Sequence, residues 1–123
     1  MPTICHFTIP VEDIGRAKKF YTELFGWKIE RSQGPIEYYG IETMSLDGEE
    51  GLGGGMAKKE NPQQIITSYI EVQSVDESLA RVEELGGKVL MPKMAVPGIG
   101  YTAVCLDTEN NTFGLWESNE NAR

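Results

Sequence analysis

The sequence predicts an α+β fold in which two βαβββ modules form a curved mixed sheet around a cleft. Shifting the chain by 61 positions places His6 on Thr67 and aligns the apolar pattern of the first half with that of the second half. Each half then shows the same order of an extended apolar segment, a helical pattern and three short strands. One module would cover only one sheet face with its helix, so two copies facing each other could enclose a cleft.

We expect a single domain over residues 1–123, because a chain of this length buries roughly two-thirds of its unfolded surface around one core. Module 1 is predicted at 1–57, a linker at 58–64 and module 2 at 65–119. The linker is polar and contains Pro62, which suits a connector between modules.

Module 1 begins with a predicted strand at 3–11. A helix should follow, with Asp13 as its N-cap and Gly26 as the residue that ends it. The apolar residues that recur along one face of this helix are Ile14, Ala17, Tyr21, Leu24 and Phe25. Three further strands are predicted at 27–31, 38–46 and 52–57. The glycines at 53–55 fit either a loop or a strand that lines a cavity.

Module 2 repeats this order. Its first strand is predicted at 66–72, and Ser74 with Glu77 forms a capping box at the start of the second helix. The apolar residues on one face of this helix are Val75, Leu79, Val82 and Leu85. Gly86 and Gly87 should end it. The remaining strands are predicted at 88–94, 101–106 and 112–117.

The composition excludes several function classes. With 19 acidic and 11 basic residues and a formal net charge of −8, the chain lacks the clustered positive surface that binds nucleic acid. The acidity mildly favours a cationic ligand, although a solvated acidic surface is the simpler explanation. Cys5 and Cys105 form no CxxC motif. No apolar run approaches 18 residues and no signal pattern is present, so we expect a cytoplasmic protein that does not enter a membrane.

Strand alternation predicts which side chains face the cleft. In the first strand His6 should point away from the helix, because its apolar neighbours alternate with it. In the equivalent strand of module 2, Thr67, Tyr69 and Glu71 should point the same way. For the last strand, alternation places Glu117 and Leu115 on one face but does not decide whether that face is the inner one.

The segments that carry the module pattern resemble the vicinal oxygen chelate superfamily, which includes glyoxalase I, extradiol dioxygenases, fosfomycin-resistance enzymes and bleomycin-binding proteins. These segments are HFTIPVEDIGRAKKFYTELFGW, GLGGGM and DTENNTFGLWE. The resemblance implies a glyoxalase-like fold, a small organic ligand and a homodimer, with or without exchange of modules between subunits.

In metal-binding members of this superfamily the ligands come from the first and last strands of each module. The resemblance carries these positions to His6, Met56, Thr67 and Glu117. His6 and Glu117 suit a divalent Zn, Ni, Mn or Fe ion, whereas a thioether and a hydroxyl are poor ligands. With one histidine, the chain cannot supply a 2-His-1-carboxylate site or the four glyoxalase I ligands, so standard glyoxalase I activity is not expected.

Three functions remain open. The first is metal-assisted lyase or isomerase chemistry, related to that of lactoylglutathione lyase, with His6 and Glu117 as ligands or catalytic groups. The second is sequestration of a small compound by a metal-free protein of the bleomycin-resistance type. The third is metal-free acid–base catalysis by the same two residues. The residues that would line the substrate are Met56, Thr67, Tyr69 and Tyr101. Either tyrosine could instead belong to the core. His6 could likewise be a packed, hydrogen-bonded residue with no role in binding.

Overall fold

The computed structural model describes residues 1–33 and 37–123, and these form two compact units. The N-terminal unit comprises His6–Ile66, and the C-terminal unit comprises Met1–Cys5 with Thr67–Arg123. Strand β1 (Ile4–Val11) contributes its first two residues to the C-terminal unit and the rest to the N-terminal unit. Each unit has its own core. The single domain and its predicted module boundaries stay predictions.

The N-terminal unit has the predicted βαβββ order. After β1 come helix α1 (Ile14–Phe25) and strands β2 (Lys28–Arg31), β3 (Tyr38–Glu42) and β4 (Gly54–Lys58). The strands lie in the order β2-β3-β4-β1, with β4 parallel to β1 and the other pairs antiparallel. The prediction that the glycine-rich segment forms a strand is therefore confirmed for Gly54 and Gly55.

Helix α1 begins and ends where the sequence predicts. The Asp13 carboxylate accepts a hydrogen bond from the Arg16 backbone N–H at 2.9 Å, which satisfies one of the unpaired amides at the helix start. Gly26 ends the helix with a φ of 73°, a conformation that costs other residues a steric penalty.

The core of the N-terminal unit lies between α1 and one face of its sheet. Its buried residues are Ile9, Val11, Ile14, Ile29, Ile41 and Met56. Ala17 and Tyr21 pack against this cluster, but Leu24 and Phe25 are exposed, so the predicted apolar face of α1 is wrong at its last turn. Ile14, Ala17 and Tyr21 are the α1 residues that belong to or pack against this core.

The C-terminal unit completes a second βαβββ order. It contains β5 (Thr67–Glu71), α2 (Val75–Glu84), β6 (Lys88–Val96), β7 (Gly100–Leu106) and β8 (Thr112–Ser118). Within it β5, β8, β7 and β6 are neighbours in that order, and β5 runs parallel to β8. The predicted α+β class and its two βαβββ modules are confirmed, and the enclosed cleft stays a prediction.

The capping box of α2 is half confirmed. The Ser74 hydroxyl accepts a hydrogen bond from the Glu77 backbone N–H at 3.1 Å. Val75 is fully buried against Ala103, Cys105 and Leu115, which form the core of this unit. Leu85 is exposed at the helix end, contrary to the prediction.

The remaining differences concern strand ends. The strand predicted at 38–46 ends at Glu42, and an isolated bridge joins Met44 to Glu50 instead. The strand predicted at 88–94 extends to Val96, because a tight turn carries it directly into β7.

Neither α1, with 12 residues, nor α2, with 10, has the length or apolar run of a membrane-spanning helix.

Candidate functional site

The sheet of the N-terminal unit has one face covered by α1 and one without a helix, which we call its helix-free face. In β1, Phe7, Ile9 and Val11 contribute to the core beneath α1. Because side chains alternate along a strand, His6 and Thr8 lie on the helix-free face. This is the orientation that the sequence predicts for His6.

His6 forms a hydrogen bond with Tyr38, a residue that the sequence did not single out. Its Nε2 atom lies 2.7 Å from the Tyr38 phenol oxygen, and the two rings are inclined by only 20°. The imidazole is half-buried, and this burial lowers the pKa of His6 below its usual value of 6.5. The lowered pKa favours the uncharged ring at neutral pH, in which one nitrogen donates a hydrogen bond and the other accepts one.

Gly55 provides the space for this tyrosine. It lies opposite Thr8 in the β1–β4 register and shares the helix-free face with it. A Cβ atom built on Gly55 would collide with the phenol group of Tyr38. A glycine inside a strand is a known signal of such a close approach, and the Gly53–Gly55 run was the sequence feature that could have pointed to it.

Met56 lies on the opposite face of the same strand. It pairs with Ile9 across the β1–β4 register and has no exposed surface. Its side chain belongs to the core beneath α1. This burial argues against the predicted substrate-lining role and explains the residue as core packing, because a substrate cannot reach it without opening the core.

The C-terminal unit also has a helix-free face, opposite α2. The Tyr69 ring lies over Gly114, its neighbour in the β5–β8 register, where a Cβ atom would collide with the ring. Leu115 packs into the core beneath α2, so alternation assigns Gly114 and Tyr69 to the helix-free face. Thr67 and Tyr69 are both half-buried and share this face, as predicted. Whether either contacts a substrate stays a prediction.

Glu117 lies on the other face of β8, together with Leu115. Its Oε1 atom accepts a hydrogen bond from the Val75 backbone N–H at 2.9 Å, at the first residue of α2. A carboxylate at this position satisfies an otherwise unpaired amide and interacts favourably with the helix dipole. The structure thus gives Glu117 a part in joining β8 to α2, which argues against its predicted catalytic and metal-binding roles.

Tyr101 is also directed towards α2. It lies opposite Glu117 in the β7–β8 register and packs against the core of the C-terminal unit. The Lys93 ammonium group lies 4.2 Å from the centre of its ring and also forms an ion pair with Asp76 at 2.8 Å. These contacts argue against the predicted substrate-lining role, because they place the ring in a packed cluster beside α2.

Comparison with known proteins identifies the family. A glyoxylase-like domain-containing protein of Didymella fabae is 31% identical over 111 residues, which cover 87% of this chain and 87% of the fungal protein. The chain belongs to the vicinal oxygen chelate superfamily. Within it, the family described as Bleomycin resistance protein-like N-terminal matches residues 3–43.

Other superfamily relatives are longer or more distant. The glyoxylase-named protein CFP32 of Mycobacterium tuberculosis is 31% identical over 110 residues, 87% of this chain, and the chain spans only 42% of its length. A Streptomyces coelicolor methylmalonyl-CoA epimerase variant in complex with 2-nitronate-propionyl-CoA superimposes with a TM-score of 0.67, covering 94% of this chain and 96% of the epimerase. At 14% identity this likeness concerns the fold alone.

The described side chains do not fit the divalent metal that superfamily membership would suggest. No three of the histidine, cysteine, aspartate and glutamate residues at 1–33 and 37–123 converge on a common point. In the N-terminal unit His6 is joined by a phenol and Met56 is in the core. In the C-terminal unit Glu117 is bonded to the start of α2. Among the described residues, neither unit by itself supplies the ligand set of a divalent ion.

Proposed function

We propose that this chain binds a small organic molecule, without a metal, at the helix-free face of the N-terminal unit. The observation that carries the proposal is the pair formed by His6 and Tyr38, two polar groups 2.7 Å apart on a half-buried surface. The match of residues 3–43 to the bleomycin resistance-like family supports it, because this segment contains His6. Ligand sites typically contain a small number of placed polar groups that orient the ligand, and this is the role we assign to the pair.

The uncharged state of His6 limits the kind of ligand. A neutral imidazole offers one hydrogen-bond donor and one acceptor, and it gives no Coulomb attraction to a carboxylate or phosphate. The formal net charge of −8 also disfavours the approach of anions. We therefore infer a neutral or cationic organic compound with at least one hydrogen-bonding group.

A probe panel tests this proposal. Bleomycin, which is cationic, represents the ligand class inferred here. Methylmalonyl-CoA and the hemithioacetal of glutathione and methylglyoxal are anionic compounds that the relatives and the resemblance suggest, and they should bind more weakly. Each is screened by thermal shift and calorimetry in the presence of EDTA. A probe at 100 times its dissociation constant should stabilise the fold by about 2.7 kcal/mol. His6→Ala should weaken the binding at least tenfold, whereas Lys19→Ala, at an exposed position of α1 on the opposite side of the sheet, should not.

Two results would reject the proposal. The first is binding that EDTA abolishes and that Zn, Ni, Mn or Fe restores. The second is His6→Ala protein that binds the identified probe as tightly as the unaltered chain. A panel in which no member binds would reject the ligand classes named here.

Acid–base catalysis at the same residue is the second candidate, as a metal-free lyase or isomerase reaction. A lowered pKa leaves His6 unprotonated near neutral pH, which is the state a general base requires. Binding without chemistry and catalysis are distinguished by incubating a bound probe in deuterium oxide and following solvent exchange by NMR. Exchange that depends on His6 would support catalysis, and the absence of exchange would leave binding alone.

We further propose that the chain is a cytoplasmic homodimer. Both cysteines are free thiols, which suits a reducing compartment. Light scattering coupled to gel filtration measures the mass of the assembly, and a monomer over the micromolar range would exclude the dimer. Localisation of the tagged full-length protein tests the compartment.

A further inference from the structure

The contact between Tyr38 and Gly55 follows from the register of two neighbouring strands. Tyr38 pairs with Ala57 across the β3–β4 ladder, and Gly55 lies two residues along β4 on the same face. A long side chain reaches this diagonal position readily. The phenol group thus crosses over Gly55 to meet His6, which lies on the neighbouring strand β1.

We propose that Tyr38 is the positioning residue of the His6 site: its phenol donates a hydrogen bond to Nε2, holds the imidazole in the tautomer protonated at Nδ1, and reaches it because residue 55 is glycine. The inference rests on the proposed function for its biological meaning, since a fixed tautomer presents the ligand with a fixed hydrogen-bond pattern. Its physical content can be tested in the ligand-free protein.

The direction of the hydrogen bond follows from the chemistry of the two groups. A phenol O–H is more acidic than the N–H of a neutral imidazole, and the unprotonated imidazole nitrogen is a stronger acceptor than a phenol oxygen. Tyr38 as donor and Nε2 as acceptor is therefore the favoured arrangement. It leaves the remaining ring proton on Nδ1 and, like burial, stabilises the neutral form of His6.

The single histidine makes a direct test practical. In uniformly ¹⁵N-labelled protein only His6 contributes imidazole signals, so long-range ¹H–¹⁵N correlation spectra report one tautomeric equilibrium. We expect the unaltered protein to show the proton on Nδ1. Tyr38→Phe removes the donor, and we expect it to shift the equilibrium towards the Nε2-protonated form and to raise the pKa of His6.

Two glycine variants test whether the position of the Tyr38 phenol, and not only its presence, determines the His6 tautomer. In Gly55→Ala the new methyl group would occupy the space of the Tyr38 phenol, so this variant should change the His6 signals in the same direction as Tyr38→Phe. Gly53→Ala is the matched control, because its methyl group would meet only the Ile41 carbonyl at an ordinary 3.7 Å. It should leave the His6 signals unchanged.

The outcomes are decisive in either direction. An Nε2-protonated ring in the unaltered protein, or a Tyr38→Phe spectrum with the same tautomer and pKa, would overturn the inference. If Gly55→Ala does not fold, the comparison of Tyr38→Phe with the unaltered chain still decides it. Because no ligand is added, failure here leaves the binding proposal standing, and failure of the probe panel leaves the tautomer assignment standing.

Discussion

Replacing Met56 by alanine separates a packing role from a substrate-lining role. Met56 has no exposed surface and lies among the branched side chains of the N-terminal core. The substitution deletes three heavy atoms, each worth about 0.8 kcal/mol on burial. The surrounding side chains are held by three paired strands and α1, so the cavity should collapse only partly. We therefore expect a loss of about 3–4 kcal/mol in the free energy of unfolding, within the range of about 2–5 kcal/mol for such changes.

Urea unfolding provides the assay. In a Trp116→Phe background Trp27 is the single tryptophan, and it packs against the same core as Met56. Met44→Ala is the matched control, since that methionine is 71% exposed, and it should cost less than about 0.5 kcal/mol. Met56→Leu, which nearly conserves volume, should cost less than about 1.5 kcal/mol. A Met56→Ala protein as stable as the control, but altered in probe binding, would refute the packing argument.

The remaining predictions concern both units. Glu117→Ala should lower the free energy of unfolding by about 1–2 kcal/mol through loss of the bond to the α2 amide, whereas Glu120→Ala, at an exposed position, should change the thermal midpoint little. The lowered pKa of His6 means that the unfolded chain takes up its proton first as the pH falls below about 6.5, so unfolding free energy should decrease there. Urea titrations from about pH 7.5 to 5.5 should show a smaller decrease for His6→Gln, and identical slopes would contradict this. Gly100→Ala should destabilise the C-terminal unit, measurable by calorimetry, because its methyl group would collide with the Glu117 carbonyl; an unchanged thermal midpoint would contradict it.

The fold could be predicted because its signals are local and occur twice. Asp13 and Ser74 cap the two helices by the hydrogen bonds that their side chains favour, and Gly26 adopts the left-handed conformation that ends α1. The helix ends were less predictable. Leu24 and Leu85 continue the apolar spacing but are exposed, because periodicity describes a helix face and does not say how far the sheet extends beneath it.

The site was predicted only in part. Alternation along β1 correctly separated His6 from the core residues, since three apolar neighbours define the buried face. The same reasoning does not settle β8, because apolar residues occur on both of its faces, Leu115 on one and Trp116 on the other; the packing of Leu115 beneath α2 identifies the face of Glu117. The partnership with Tyr38 could not be derived, because it depends on how β3 and β4 are paired across residues far apart in the sequence.

In both units a glycine in the last strand of the module leaves space for a tyrosine ring. Gly55 and Gly114 each lie in the last strand of a module, on its helix-free face, and a tyrosine ring from a neighbouring strand occupies the space that a side chain there would need. A side chain that could coordinate a metal and the tyrosine ring cannot both occupy such a position, because close-packed groups cannot overlap. Introducing a carboxylate at Gly55 would therefore have to displace Tyr38 and give up its bond to His6. Alternation also places the carboxylates of Glu42 and Glu71 on these faces, but no three metal-ligating side chains of the described residues converge. The imidazole and phenol that do meet at His6 suit hydrogen bonding to an organic ligand better than coordination of a divalent ion.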